Sequence, residues 1–140
     1  MRRVFWLPLY PERKNLYAIL MKDASSILET FANPHPGRDY TILHVAPEFT
    51  SICPKTGQPD FGTVRLRYVP DKLCVELKSY KFYLQTFRNE GIFYEAVTNR
   101  IATDLAKILK PRWLKLETDW RPRGGISTKV SLEIGRRRSS

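Results

Sequence analysis

The hydrophobic period of this chain changes twice, and that limits the folds open to it. From Thr63 to Tyr68, Val64, Leu66 and Tyr68 alternate with Thr63, Arg65 and Arg67, the two-residue period of a strand with one buried and one wet face. From Ser79 the period is helical, with Tyr80, Tyr83, Leu84 and Phe87 on one stripe. Gly91 interrupts it, and Ile92, Phe93, Ala96, Val97, Ile101, Leu105, Ile108 and Leu109 then recur at helical intervals until Pro111 stops them. Lys107 and Lys110 fall where cations suit a helix C-terminus, and Glu95 where an acid suits the first turn. Alternation returns in Leu114, Leu116, Thr118 and Trp120, and again in Ile126, Val130, Leu132 and Ile134. Upstream, Tyr40–Val45 reads as a strand leading through Pro47-Glu48-Phe49 into a cysteine loop. The order is ββααββ, which predicts an α+β domain: a four-stranded antiparallel sheet with two helices packed on one face.

Nearer the N-terminus, Leu16, Ile19, Leu20, Ala24, Ile27, Leu28 and Phe31 fall on one helical stripe and predict a helix over part of Pro11–Phe31. Asn33-Pro34-His35-Pro36-Gly37-Arg38 is a loop by composition. A chain of 140 residues fits one domain, about 100–150 residues being the commonest size. Residues 1–25 read as a variable extension, 26–135 as the domain, and 136–140, Arg-Arg-Arg-Ser-Ser, as a disordered basic tail. Met21 is an alternative start, and residues 1–20 are expected to be dispensable.

No run approaches the roughly 20 apolar residues of a membrane span, and the first ten lack a small-residue cleavage site, so a cytoplasmic protein is expected. Two cysteines, Cys53 and Cys74, without a paired framework suit a reducing compartment. His35 and His44 have neither helical ligand spacing nor ligand pairs near the thiols, which disfavours zinc. The net charge of +10 invites polyanions and raises the possibility of an RNA-binding module. Against that, the aromatics follow helical stripes rather than the strand pattern of a base-stacking platform.

Chemistry is expected at Cys53-Pro54-Lys55-Thr56-Gly57-Gln58-Pro59-Asp60, where a loop stiffened by two prolines and turned by a glycine carries a thiol and a carboxylate. A thiolate is nucleophilic near neutral pH when positive charge or N–H groups lower its pKa, and Lys55 is the nearest cation. A lone strand-end cysteine is more often a small buried hydrophobe.

The run Thr50–Thr63, followed by Glu76-Leu77-Lys78-Ser79-Tyr80-Lys81-Phe82-Tyr83 and by Phe87–Glu95, resembles the short form of the NADPH-dependent 7-cyano-7-deazaguanine reductases, nitrile reductases of queuosine biosynthesis. The resemblance spans about Ser26 to Ile134. It implies the tunnelling fold (T-fold), whose sheets join edge to edge into barrels, here as a homo-oligomeric decamer of two pentamers with sites at subunit borders. Cys53 is then the nucleophile that forms a covalent thioimide with the nitrile, and Asp60 the general acid. Glu95 is at the position that grips the guanine-like edge of the substrate, Val75, Glu76 and Leu77 line it, and Tyr94 stands where many relatives carry histidine. The cofactor NADPH is expected at Lys78, Ser79 and Lys81, with Arg123 and Gly124 as a second candidate set. No Gly-x-Gly-x-x-Gly fingerprint is present, so the cofactor site is not of the Rossmann type. The small-molecule reaction requires no nucleic acid. An archaeosine-type amidinotransferase acting on the same nitrile is the alternative, but those relatives lack the lysine motif.

Overall fold

The structure, a computed structural model, describes residues 24–138. The expectations for residues 1–20 lie outside the described residues, as do the last two positions of the basic tail.

The main sheet has four antiparallel strands in the order β2-β3-β5-β6: β2 Ile42–Ile52, β3 Pro59–Val69, β5 Trp113–Arg123 and β6 Ile126–Gly135. Between β3 and β5 the chain forms helices α1, Leu77–Gln85, and α2, Tyr94–Leu109. Sheet and helices are as the periodicity predicts. Val64, Leu66 and Tyr68 of β3 and Leu114, Leu116, Thr118 and Trp120 of β5 are buried against Tyr80, Tyr83, Leu84, Val97, Ile101 and Leu105 of the helices. Burying side chains of this size contributes about 1.5–3 kcal/mol each before the entropy of ordering them is counted. The opposite face of the sheet is wet and carries a ladder of charges, with Arg65 and Lys129 paired to Glu117 and Asp119.

A second, two-stranded sheet pairs β1, Thr30–Ala32, with β4, Leu73–Val75. Of the stretch in which part of a helix is expected, Pro11–Asp23 lies outside the described residues; within them Ala24–Ile27 form a single 3-10 turn and Phe31, at the end of the stripe, is in a strand paired with Cys74. The apolar stripe over these residues reflects Ala24 and Leu28 packing into the core rather than a continuous helix.

Two devices position the chemistry. Between Ala46 and Phe49 the β2–β3 register shifts by one residue, a β-bulge. Before it, Ile42, His44 and Ala46 stand opposite the core residues Tyr68, Leu66 and Val64; after it, Phe49 and Ser51 take over that face. By strand alternation Cys53, two beyond Ser51, emerges on the helix side, the side of Asp60. The second device is a bridge between Ile52 and Gly91, with Ile52 N–H donating to Glu90 C=O and Ile92 N–H to Ile52 C=O. It ties the start of α2 to the cysteine loop.

Candidate active site

The loop between β2 and β3 is closed by its own backbone. Cys53 N–H donates to Gln58 C=O at 2.8 Å, Gly57 N–H donates to Cys53 C=O at 2.9 Å, and Gly57 has a φ of 70°, the left-handed region that glycine enters without cost. The half-buried Cys53 thiol is held below its ordinary pKa, chiefly by the Thr56 side chain and then by the backbone N–H groups of Thr56 and Lys55; desolvation and the Asp60 carboxylate oppose this. The sequence pointed to the Lys55 ammonium, but the stabilisation comes from a hydroxyl and two amides.

Asp60, the second residue of β3, stands opposite Ser51 and is 3% exposed. Its Oδ1 accepts from Tyr94 O–H at 2.9 Å and is ion-paired with Arg123 Nε at 2.6 Å, while Arg123 also donates to Pro59 C=O at 2.5 Å. Arg123, expected at the cofactor, is therefore engaged with the acid. Its neighbours Gly124 and Gly125 make the β5–β6 turn, both at positive φ and with open space around them. Burial, reinforced by the carboxylate it serves, pushes the Tyr94 phenol up to about 12, so it stays protonated throughout the neutral range. Glu95, next in the first turn of α2, is exposed and outside the ion pairs formed among the described residues.

The other expected residues lie elsewhere in the protomer. Tyr68, at the far end of β3, accepts from Val75 N–H, and eight residues of strand, roughly 26 Å, separate it from Asp60. Glu76 is the N-cap of α1: its carboxylate accepts from the N–H groups of Lys78 and Ser79 at 2.8 and 2.7 Å, which holds it below the usual carboxylate range. The buried Ser79 hydroxyl donates to Glu76 C=O and accepts from Glu29 N–H, so its polar capacity is used within the protomer. Leu77, Lys78 and Lys81 are exposed.

A groove of about 420 Å³ runs between β2 and α1, walled by His44, Phe49, Leu77, Tyr80 and Leu84 and edged by Lys81 and Arg88. Apolar walls beside two cations suit a ligand that combines aromatic rings with phosphates, as a dinucleotide does. Of the residues expected at the cofactor, Lys81 edges this groove, Lys78 does not, and the Ser79 hydroxyl is bonded to Glu76 and Glu29.

Three features of the site went unread in the sequence. Thr56 acts on the thiol, where only Lys55 had been considered. Trp120 stacks on Tyr94 with ring centroids 4.0 Å apart and planes 12° from parallel. Ser51, fully buried opposite Asp60, has a hydroxyl with no hydrogen-bond partner among the described residues. No local signal singles out Trp120; for Ser51 the signal is its position two residues before the thiol.

Comparison with known proteins identifies the family. The model of the QueF-like protein family matches residues 59–139. The chain is 62% identical over 105 residues to a protein of Chloroherpeton thalassium named NADPH-dependent 7-cyano-7-deazaguanine reductase, covering 75% of this chain and 90% of that one. A protein of Rhodopirellula baltica with the same name is 58% identical over 113 residues, 79% of this chain and 93% of its own. Among solved structures, an archaeosine synthase QueF-Like in the apo form superposes with a TM-score of 0.64 at 18% identity, covering 69% of this chain and 94% of that one, a likeness of fold that places this domain among the T-folds. By the extent of these matches, the chain belongs to the QueF-like family.

Proposed function

We propose that this protein reduces the nitrile of 7-cyano-7-deazaguanine to the aminomethyl group, using NADPH, through a covalent thioimide on Cys53. The observation that carries the reading is the pairing of an activated thiol with a buried, oriented carboxylate in a chain near 60% identical to reductases of that name. The Cys53 sulfur adds to the nitrile carbon while its proton passes by way of Asp60 to the nitrogen, so that a C–S and an N–H bond form at the expense of the S–H bond and one π bond of C≡N, and no electrons are yet transferred. Two molecules of NADPH, bound in turn, would each supply one hydride to carbon. Asp60 supplies nitrogen with protons from solvent, and the C–S bond breaks to return the thiolate. Glu95 accepts from the N–H donors of the base, and Tyr94 closes the pocket beside it.

The split arrangement supports an oligomer. Cys53, Asp60, Tyr94 and Glu95 sit at one end of the sheet and Val75 and Glu76 at the other, too far apart to touch one small ligand in a single protomer. Among the described residues strands β2 and β6 are both open edges, free to pair between copies, and a neighbouring protomer is the source we infer for the other half of the site. A decamer of two pentamers is the assembly we infer, with Lys78 and Lys81 of one copy serving the thiol of the next. Residues 26–135 form the catalytic unit. Both cysteines are free, in keeping with a cytoplasmic setting, and no helix among the described residues is long and apolar enough to cross a membrane.

The experiment is an intact-mass measurement of the protein mixed with the nitrile base, followed by NADPH and absorbance of the reduced nicotinamide. A mass gain equal to the base, absent in Cys53→Ala, and NADPH consumed at two per base are expected. No adduct, or an adduct that NADPH does not discharge, rejects the reading.

A further inference from the structure

Tyr94 and Arg123 both reach the same oxygen of Asp60, Oδ1. An oxygen accepting from two donors is a poor place for a proton, so a protonated Asp60 carries its hydrogen on Oδ2. Which way the acid faces therefore depends on where the phenol is held.

The phenol ring lies flat on Trp120, and Trp120 is itself fixed from three sides. Its indole N–H donates to Thr118 Oγ1 at 2.9 Å. Thr118 lies 2.7 Å from Thr98 Oγ1, and Thr98 donates to the C=O of Tyr94 at 2.6 Å. Each hydroxyl has one proton to give, so the direction is set: Trp120 to Thr118, Thr118 to Thr98, Thr98 to the backbone of Tyr94. The run begins at the residue under the phenol ring and ends at the phenol's own residue, and Thr98, Thr118 and Trp120 are all at most 2% exposed. On the neighbouring strand Gly62 faces Trp120, and a Cβ there would stand 2.9 Å from indole Cε3, so the ring occupies space only a glycine leaves open. Phe49 closes the remaining side edge-on at 5.7 Å.

We propose that Trp120 is a positioning residue of the reaction. Through the stack and the Thr118–Thr98 run it keeps the Tyr94 hydroxyl on Oδ1 of Asp60, leaving Oδ2 to carry the proton to the substrate nitrogen. When that proton leaves, Asp60 remains as a carboxylate against Arg123, and no further redox partner is needed. The inference rests on the reading of Asp60 as the acid.

The test uses the full chain in its native assembly. The wild type is assayed first for nitrile adduct and NADPH oxidation; failure of either rejects the functional reading and the inference with it. In an active wild type, Trp120→Leu and Thr118→Val lower kcat about tenfold, the worth of one oriented hydrogen bond, with KM within about twofold. Combined with Tyr94→Phe, neither costs anything further, because the hydroxyl they position is gone. Trp120→Phe, which keeps a ring under the phenol, recovers most of the rate. Losses that multiply with that of Tyr94→Phe, a change confined to KM, or unaltered kcat overturns the proposal. Should Trp120→Leu fail to fold, Thr118→Val, smaller in its disturbance, decides by the same comparison.

Discussion

The guanidinium of Arg123, on the last residue of β5, meets the carboxylate of Asp60, on the second residue of β3, with 2.6 Å between Nε and Oδ1. One partner is nearly buried and the other 39% exposed, so the pair sits between the surface and interior limits. Arg123→Ala leaves a buried carboxylate without its charge partner and is expected to cost about 1–2 kcal/mol after allowing for the solvent on the arginine side. Thermal unfolding checks this: Tm falls in Arg123→Ala and partly recovers when Asp60→Asn is added. Equal Tm values for wild type and Arg123→Ala would mean the pair contributes nothing.

The thiol of Cys53 owes its lowered pKa first to Thr56. Thr56→Val removes that hydroxyl, so the pKa rises toward the ordinary thiol value and less thiolate is present at pH 7. Alkylation by iodoacetamide as a function of pH reads this directly, with the midpoint moving up. Lys55→Ala should leave the midpoint in place, and Cys74, 2% exposed, should stay unlabelled in the folded protein.

Tyr94 offers a proton donor that does not titrate in the working range, its pKa standing near 12. Tyr94→His puts there a group with an ordinary pKa of about 6.5. The kcat profile of the variant should acquire a limb in the neutral region that the parent lacks, and two superimposable profiles would remove residue 94 from the proton path.

Gly62→Ala forces a Cβ to 2.9 Å from both Asp119 O and the Trp120 ring. The carbonyl belongs to a strand that cannot retreat, so a loss of about 2 kcal/mol is expected in chemical denaturation. A shift in tryptophan emission should accompany it as the indole is displaced.

A site shared between protomers predicts complementation. Cys53→Ala and a Lys78→Ala, Lys81→Ala double variant are each inactive alone, yet mixed assemblies contain borders with an intact thiol on one side and intact lysines on the other. Activity should return on co-refolding; its absence would place both sets within one protomer's site.

Much of this architecture could be read directly, and for a physical reason. Val64, Leu66 and Tyr68 alternate because one face of β3 is buried and the other wet, and the stripe through Val97, Ile101 and Leu105 is what α2 presents to the sheet. Strands β1 and β4 have three residues each, too few to express a period, and β1 falls within the stripe that predicts a helix. The acid and thiol were legible from loop chemistry and resemblance. That the Ser79 hydroxyl accepts from Glu29 and that Arg123 reaches Asp60 depend on contacts between distant positions, and no local pattern announces them; the Glu76 cap, by contrast, is local, made to the N–H groups two and three residues further on. Trp120 looked like any core aromatic, because stacking on Tyr94 is set by the pairing of β5 with β3 and α2.

The irregularity between Ala46 and Phe49 has a further meaning. It works as a parity switch: one additional amino acid converts an even count into an odd one, and the sulfur exits toward the acid instead of toward the charged outer surface. Shortening the hairpin there by a single position would preserve every functional group in the protein and still aim the Cys53 sulfur the wrong way.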